Sequence, residues 1–227
     1  MKTSSRPIIL FGTGTIAEVI LFYYNKLSNQ SIELCCVDRN MRNKAIWKDL
    51  EVQDFEDIEK THPPEEYDMF IALGYNRMNK EREKKFYQAK EKGYHLVSFI
   101  DEDVRLQSEI LHGENCFVMS GVFAQPSVTL GNNNFVWSGA VLGHHSVIDN
   151  NCWLASSCKL GGNSIIRDNC FLGMNSVICD SIEVKSSNYI GANSFITKTT
   201  RDGQVFIAER TKPIRLDSSE WINWQRN

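Results

Sequence analysis

Two periodicities predict the fold class: an N-terminal α/β region followed by an all-β coil of hexapeptide repeats. In the first 100 residues, short apolar runs alternate with stretches of helical spacing. From Leu130 to Ile196, every sixth residue is Leu, Ile or Val, twelve positions in succession. A helix repeats about every 3.6 residues and a flat strand every two, so neither accounts for a period of six.

The α/β elements follow in order. Residues 8–11 are an apolar run ending in Gly12-Thr13-Gly14-Thr15, as expected of a buried parallel strand and a tight turn. Ile16, Ala17, Val19, Ile20, Phe22, Tyr23 and Leu27 then recur at helical spacing. Residues 32–37 read as a second strand ending in Asp38-Arg39, and residues 69–73 as a third running into Gly74. A charged helix is predicted over 79–92, with Asn79 as N-cap and Gly93 as stop. Residues 95–100 complete the set as a fourth strand. This β-α-β alternation implies a small parallel sheet with helices on its faces.

Ligands of such sheets sit beyond the carboxyl ends of the strands. Gly12 to Thr15 lies at one such end, where glycines admit a phosphate and the next helix N-terminus favours an anion. Asp38 closes the second strand, where an acid can meet a ribose or base edge. A full GxGxxG is absent, since Ala17 stands in its last position. A tight strand-to-helix turn without a ligand explains the same residues, so both readings stay open here. The region is also too short for a complete dinucleotide-binding domain, which argues against a nicotinamide oxidoreductase.

The repeat has a second column. Four residues after each aliphatic stands a mostly small residue, and just after the aliphatic stands Gly at 131, 143, 161, 173 and 191. Small residues and glycines suit tight corners that need a positive φ or a close backbone approach. The aliphatics point inward, and each coil leaves an apolar face that only its neighbour covers. Cys152, Cys158 and Cys170 occupy the small inward position and read as packing groups. With three hexads to a triangular coil, residues 118–197 make about four to five coils, a prism roughly 20 Å tall. The domain division expected is 1–100, 101–200 and a tail over 201–227.

Composition narrows the function. A net charge of −3 over 227 residues leaves no basic excess for nucleic acid or an anionic membrane. No apolar run approaches the ~20 residues of a membrane span, and the N-terminus does not read as a signal peptide. Seven cysteines with no CxxC pair and no secretion signal imply a reduced, cytoplasmic protein without a metal.

Of five histidines, only His144 and His145 fall within the repeat, directly after Leu142 and Gly143. They therefore mark an outward corner. Acyl transfer needs a base, and imidazole suits neutral pH. It needs donors for the oxyanion, which backbone N–H groups at glycine corners can supply. It also needs a groove for a long thioester arm, for which Gly161-Gly162, Gly173-Met174 and Gly191-Ala192 are successive candidates, with Ser156 and Ser157 beside them.

The chain as a whole resembles the bacterial sugar acetyltransferases that carry a small Rossmann-like domain before a left-handed parallel β-helix. These include N-acetyltransferases of nucleotide-linked amino sugars and the sialic acid O-acetyltransferase group. The match covers about residues 7–208; it includes 9–14, 37–38, 70–74 and 82–100 in the first region and is best in the repeat over 141–148 and 169–175. The resemblance implies acetyl-CoA as cosubstrate, His144 as general base with His145 as second candidate, and a homotrimer whose site lies between subunits. It implies that acetyl-CoA meets Ser156, Ser157, Gly161, Gly162, Gly173, Met174, Gly191 and Ala192. It implies a nucleotide-linked sugar at Gly12, Thr13, Gly14, Thr15, Asp38, Arg39, Gly74 and Asn76, and a place in glycan biosynthesis of the lipopolysaccharide kind.

This chain departs from the family in three places. His145 stands where many members have Glu or Asp, so the acid that orients the base is absent locally or comes from a neighbouring subunit. Ile16 replaces a polar residue, and residues 206–213 replace a Gly-x-Pro-Ala-Lys ending. Trp221 and Trp224, three apart in the tail, are expected to pack on the prism end or a neighbour rather than bind sugar. The expected activity is N-acetylation of a nucleotide-linked amino sugar. The alternatives are O-acetylation of a sugar hydroxyl and a non-catalytic scaffold. A zinc lyase needs three histidines at one site, and the repeat holds two.

Overall fold

The computed structural model describes residues 6–28, 30–107 and 110–225, without the side chains of 105–107. Residues 8–71 supply one sheet, from β1 (Ile8–Phe11), β2 (Ile32–Val37), β3 (Ile46–Trp47), β4 (Leu50–Asp54) and β5 (Asp68–Ile71). Its order is β3-β4-β2-β1-β5, parallel except where the short β3 pairs antiparallel with β4. Alternate residues partition to its two faces, as pleated strands require. Ile8, Leu10 and Phe70 face the helix α1 (Thr15–Leu27), whereas Ile9, Phe11, Met69 and Ile71 face the helix Lys80–Glu91.

Three details differ from the sequence expectation. The buried stripe of α1 is Ala17, Ile20, Leu21 and Tyr24, while Phe22 and Leu27 face solvent. Asn79 stands at the N-cap of the helix Lys80–Glu91, but its side chain makes no cap and is drawn off to the prism. The expected strand over 95–100 splits. Leu96 forms a lone bridge with Met69, and Phe99–Ile100 pairs with Phe117–Val118 of the prism. Phe99 and Ile100 repeat the aromatic-then-aliphatic pair of that prism face, so the stronger register wins.

The repeat forms three stacked parallel sheets of two-residue strands, with five, seven and five strands. Strand partners are 18 residues apart, as in Phe135↔Trp153 and Leu142↔Leu160, so one coil takes three hexads. The aliphatic column is buried throughout, with Cys152, Cys158 and Cys170 inside the same core. This architecture fits the left-handed β-helix expected.

The corners divide their two requirements between different residues. Positive φ falls three residues after each aliphatic, at Asn133, His145, Asn151, Ser157, Asn163, Asn169 and Asn175. The glycines just after the aliphatics have ordinary φ and serve close approach. A Cβ on Gly143 would sit 2.5 Å from Gly161 C, and one on Gly173 2.5 Å from Ala192 N.

The seven-stranded face carries an outward aromatic column: Phe99, Phe117, Phe135, Trp153, Phe171 and Tyr189. Phe135 and Trp153 stack at 5.4 Å, and Phe171 and Tyr189 at 4.7 Å. The α/β region covers this column, and one hydrophobic core runs from Ile8, Leu10 and Phe70 into Phe117, Phe135 and Trp153. The five-stranded face carrying Phe123, Val141, Lys159, Val177 and Phe195 is open, with Phe195 65% exposed. In the tail, the helix Ser218–Gln225 buries none of its residues, and Trp221 and Trp224 stack on each other at 5.1 Å rather than on the prism. No helix among the described residues is long and apolar enough to cross a membrane.

Candidate active site

The prism has three edges, each with a residue of positive φ at every coil. The edge bearing Ser127, His145, Asn163 and Ser181 holds the histidine pair. His145 takes φ 58°, a conformation histidine tolerates better than most side chains. That turn throws both imidazoles outward into solvent. The backbone below is pinned coil to coil: His145 N–H donates to Pro126 O at 3.0 Å and Asn163 N–H to His144 O at 2.8 Å. The Gln125 side-chain oxygen accepts from His144 N–H at 2.8 Å.

The His144 ring sits against Gly162. A Cβ on that glycine would sit 2.5 Å from both Cε1 and Nε2 of the imidazole. Gly162 is therefore the seat of the ring, whereas Gly143, Gly161 and Gly173 are held by coil stacking. His144 Nδ1 and His145 Nδ1 stand 3.3 Å apart, close enough to share one proton. Among the described residues, no carboxylate is bonded to either ring, and no cluster of potential metal ligands exists.

The N–H groups of the corner glycines themselves are bonded within the prism. Gly143, Gly161, Gly173 and Gly191 N–H groups all donate to carbonyls of the next coil at 2.7–2.9 Å, and Gly162 N–H donates to the Asp180 carboxylate at 2.6 Å. Coil stacking thus already engages the N–H groups of these five glycines.

The expected acetyl-CoA residues separate onto two edges. Gly161 and Gly162 stack beneath His144. Ser156, Ser157, Gly173, Met174, Gly191 and Ala192 lie along the edge of Ser157, Asn175 and Asn193, across the open face. Met174 is 60% exposed there.

Of the expected sugar-nucleotide residues, all but Arg39 lie along the carboxyl edge of the sheet. Gly12, Asp38 and Gly74 follow the carboxyl ends of β1, β2 and β5, which are adjacent in the sheet. Gly12 has φ 119°, and a Cβ there would stand 3.0 Å from Ala72 O. Gly14 opens α1 with nothing near its missing side chain, and Thr13, Thr15 and Asn76 line the same edge. Asp38 contacts Lys85 Nζ, and a cavity of about 360 Å³ opens beside it between Phe55, Gln88 and Lys92. Arg39 turns away: its Nε donates to Asp54 at 3.1 Å, its Nη2 donates to Asp57, and it holds Asp54 below the usual carboxylate range.

Comparison with known proteins follows from this geometry. No family model and no curated protein matches the chain. Solved structures do. The acetyltransferase domain of PglB from Neisseria gonorrhoeae FA1090, in complex with acetyl coenzyme A, superposes with a TM-score of 0.76 at 19% identity, over 89% of this chain and 96% of that one. PerB from Caulobacter crescentus, in complex with CoA and GDP-perosamine, gives 0.62 at 18% identity, over 89% and 94%. The chain shares their fold.

The seam between the α/β region and the prism gathers further residues beside the carboxyl edge of the sheet. The third edge carries Asn115, Asn133, Asn151 and Asn169, all buried. Asn115 exchanges two bonds with Ile71 of β5 and passes a third to Asn133, which bonds Asn151 at 2.7 Å. Arg82, fully buried, donates to Gly74 O, Asn133 O, Asn151 O and Cys152 O. Burial lowers its pKa to about 9, and nearby Cys152, Cys116 and Glu83 oppose that shift only in part. Tyr75 wedges between Trp153 and Phe171 at 5.1 and 4.6 Å. A signal for this seam exists in the sequence: Asn and aromatic residues each recur every 18 residues, a period that a search by six does not single out.

Proposed function

We propose that this protein transfers an acetyl group from acetyl-CoA to the amino group of a nucleotide-linked sugar, with His144 as general base. The observation that carries the reading is the His144 imidazole seated over Gly162 on a solvent-facing prism edge, in a chain whose α/β region gathers three strand-end turns. The fold shared with PglB and PerB, solved with acetyl-CoA and with CoA plus GDP-perosamine, supports the substrate class.

In this reading the amine attacks the thioester carbonyl carbon and His144 Nε2 takes its proton. The tetrahedral oxyanion collapses, the C–S bond breaks, and the CoA thiolate receives the proton back from the imidazolium. His145 fills the place of the missing acid: with His144 Nδ1–H donating to His145 Nδ1, the Nε2 lone pair is left free. A neutral imidazole stabilises the imidazolium less than a carboxylate would. An amine acceptor, itself nucleophilic, asks less of such a base than a hydroxyl.

A homotrimer belongs to the same proposal. The open face between the histidine edge and the Ser157 edge exposes Phe123, Phe195 and Met174, and a second copy against it would bring the two half-sites together. The seven cysteines are all free thiols, as suits a reducing compartment such as the cytoplasm.

The test is thiol release from acetyl-CoA with UDP-, dTDP- and GDP-linked 3- and 4-amino sugars and their hydroxyl counterparts. Amine-dependent turnover that His144→Ala reduces supports the proposal. Turnover with hydroxyl sugars alone would replace it by O-acetylation. No turnover with any acceptor would leave the scaffold reading.

A further inference from the structure

Arg82 sits where the Gly74 turn, the helix Lys80–Glu91 and the asparagine edge of the prism meet. It is a fully buried cation. Its fork donates to Gly74 O at 2.9 Å, to Asn133 O and Asn151 O at 3.2 Å, and through Nε to Asn133 Oδ1 at 3.2 Å. The guanidinium lies 4.6 Å over the Phe135 ring. A buried charge is retained only where its donors are met, and well-packed apolar groups often fill such a junction at no loss of stability. The use of Arg here therefore points to something beyond filling space.

The turn that Arg82 holds is strained. Arg77, Met78 and Asn79 have φ 49°, 53° and 65°, three consecutive non-glycine residues in the left-handed region. Such a run is unfavourable for L-residues and persists where the surroundings over-determine it. Those surroundings are the Arg82 bond to Gly74 O, the Asn79 Nδ2 bond to Cys170 O at 3.2 Å, and the Tyr75 ring held between Trp153 and Phe171. Strain of this kind collects at ligand clamps. Its product here is a half-exposed Tyr75 and an exposed Asn76 at the carboxyl edge of the sheet, beside Gly12.

We propose that Arg82 is a positioning residue for the acceptor, tying the left-handed turn after Gly74 to the prism so that Tyr75 and Asn76 meet the nucleotide-linked sugar in one fixed place. This rests on the strand-end turns being the acceptor site. Arg82 touches neither reactant. It acts through the turn, and lysine cannot replace it because a single ammonium does not span the carbonyls that the planar fork reaches.

The experiment uses the full chain and its Arg82→Lys and Asn79→Gly variants. Amide hydrogen exchange is followed over residues 72–80 and 141–196, alongside equilibrium binding of UDP, dTDP, GDP and CoA. The expected result is exchange about tenfold faster over 72–80 with 141–196 within about twofold. The tightest nucleoside diphosphate should lose about tenfold in affinity, with CoA binding changed by less than about twofold. Exchange that rises equally in both segments or in neither would overturn the proposal, as would nucleotide and CoA affinities that weaken together. If the unaltered chain binds none of the three nucleotides, the acceptor-site reading fails and the positioning role falls with it. If it binds one and only the variants behave as structural mutants, the positioning role fails and the acceptor site stands.

Discussion

The asparagine edge and the histidine edge of the prism share one backbone, with a left-handed residue at each coil. The first lies beneath the α/β region, its amides bonded in a ladder that reaches Ile71 and Arg82. The second faces solvent and presents two imidazoles. Equal corner geometry thus serves docking in one place and proposed chemistry in the other. What differs is the cover: the aromatic column draws the α/β region onto one face and leaves the opposite edge free.

That contrast can be broken experimentally. The largest effect is expected at the exposed edge. His144→Ala should lower kcat/KM by about 10²–10⁴-fold in an acetyl-CoA thiol-release assay, with the melting temperature unchanged. An equal loss of stability would make the edge structural. Gly162→Ala comes next. The new methyl displaces an exposed ring that is free to swing away, so kcat should fall about 10–100-fold while thermal unfolding moves by at most about 2 °C.

Stability is expected to invert the ranking of the edges. Asn151→Ala removes left-handed tolerance and buried hydrogen bonds together, and should cost about 2–3 kcal/mol in denaturant titration. Asn163→Ala, on the exposed edge, should cost about 1 kcal/mol, the backbone part alone. Equal costs would mean that the ladder contributes nothing.

A last prediction concerns the interior that both edges share. Burial pushes Cys116 up to about 11 and Cys35 and Cys158 up to about 12. The unfolded thiols ionise near pH 9, so the unfolded chain loses protons first. Stability should therefore be full below about pH 9 and fall by about 1.4 kcal/mol per pH unit for each such thiol between pH 9 and 11. Cys158→Ala should flatten that fall in urea titrations across the range. An unchanged slope would place the thiol in contact with water.

Much of the molecule was legible beforehand for a physical reason. A six-residue repeat leaves one way to bury its aliphatics, so Leu130 to Ile196 implied the coil, and Cys152, Cys158 and Cys170 followed into its core. Gly12, Asp38 and Gly74 were legible because strand ends in a parallel sheet fall on one edge. The glycine corners were only half legible. Composition cannot tell a residue that needs positive φ from one that needs room; the structure assigned the first mostly to Asn and Ser, with His145 and two glycines, Gly121 and Gly139, and the second to the glycines just after the aliphatics.

What the sequence determined by itself was therefore local and periodic: the coil, the sheet and the histidines at a corner. The tertiary structure decided which edge is covered, that Arg82 is buried at the seam, that Gly162 seats the His144 ring, and that the amides of the corner glycines are already engaged. These depend on contacts 18 to 91 residues apart, such as Asn133 with Asn151 and Asn79 with Cys170. No local pattern encodes such contacts, because they exist only once the coils have stacked and the α/β region has docked on the aromatic face.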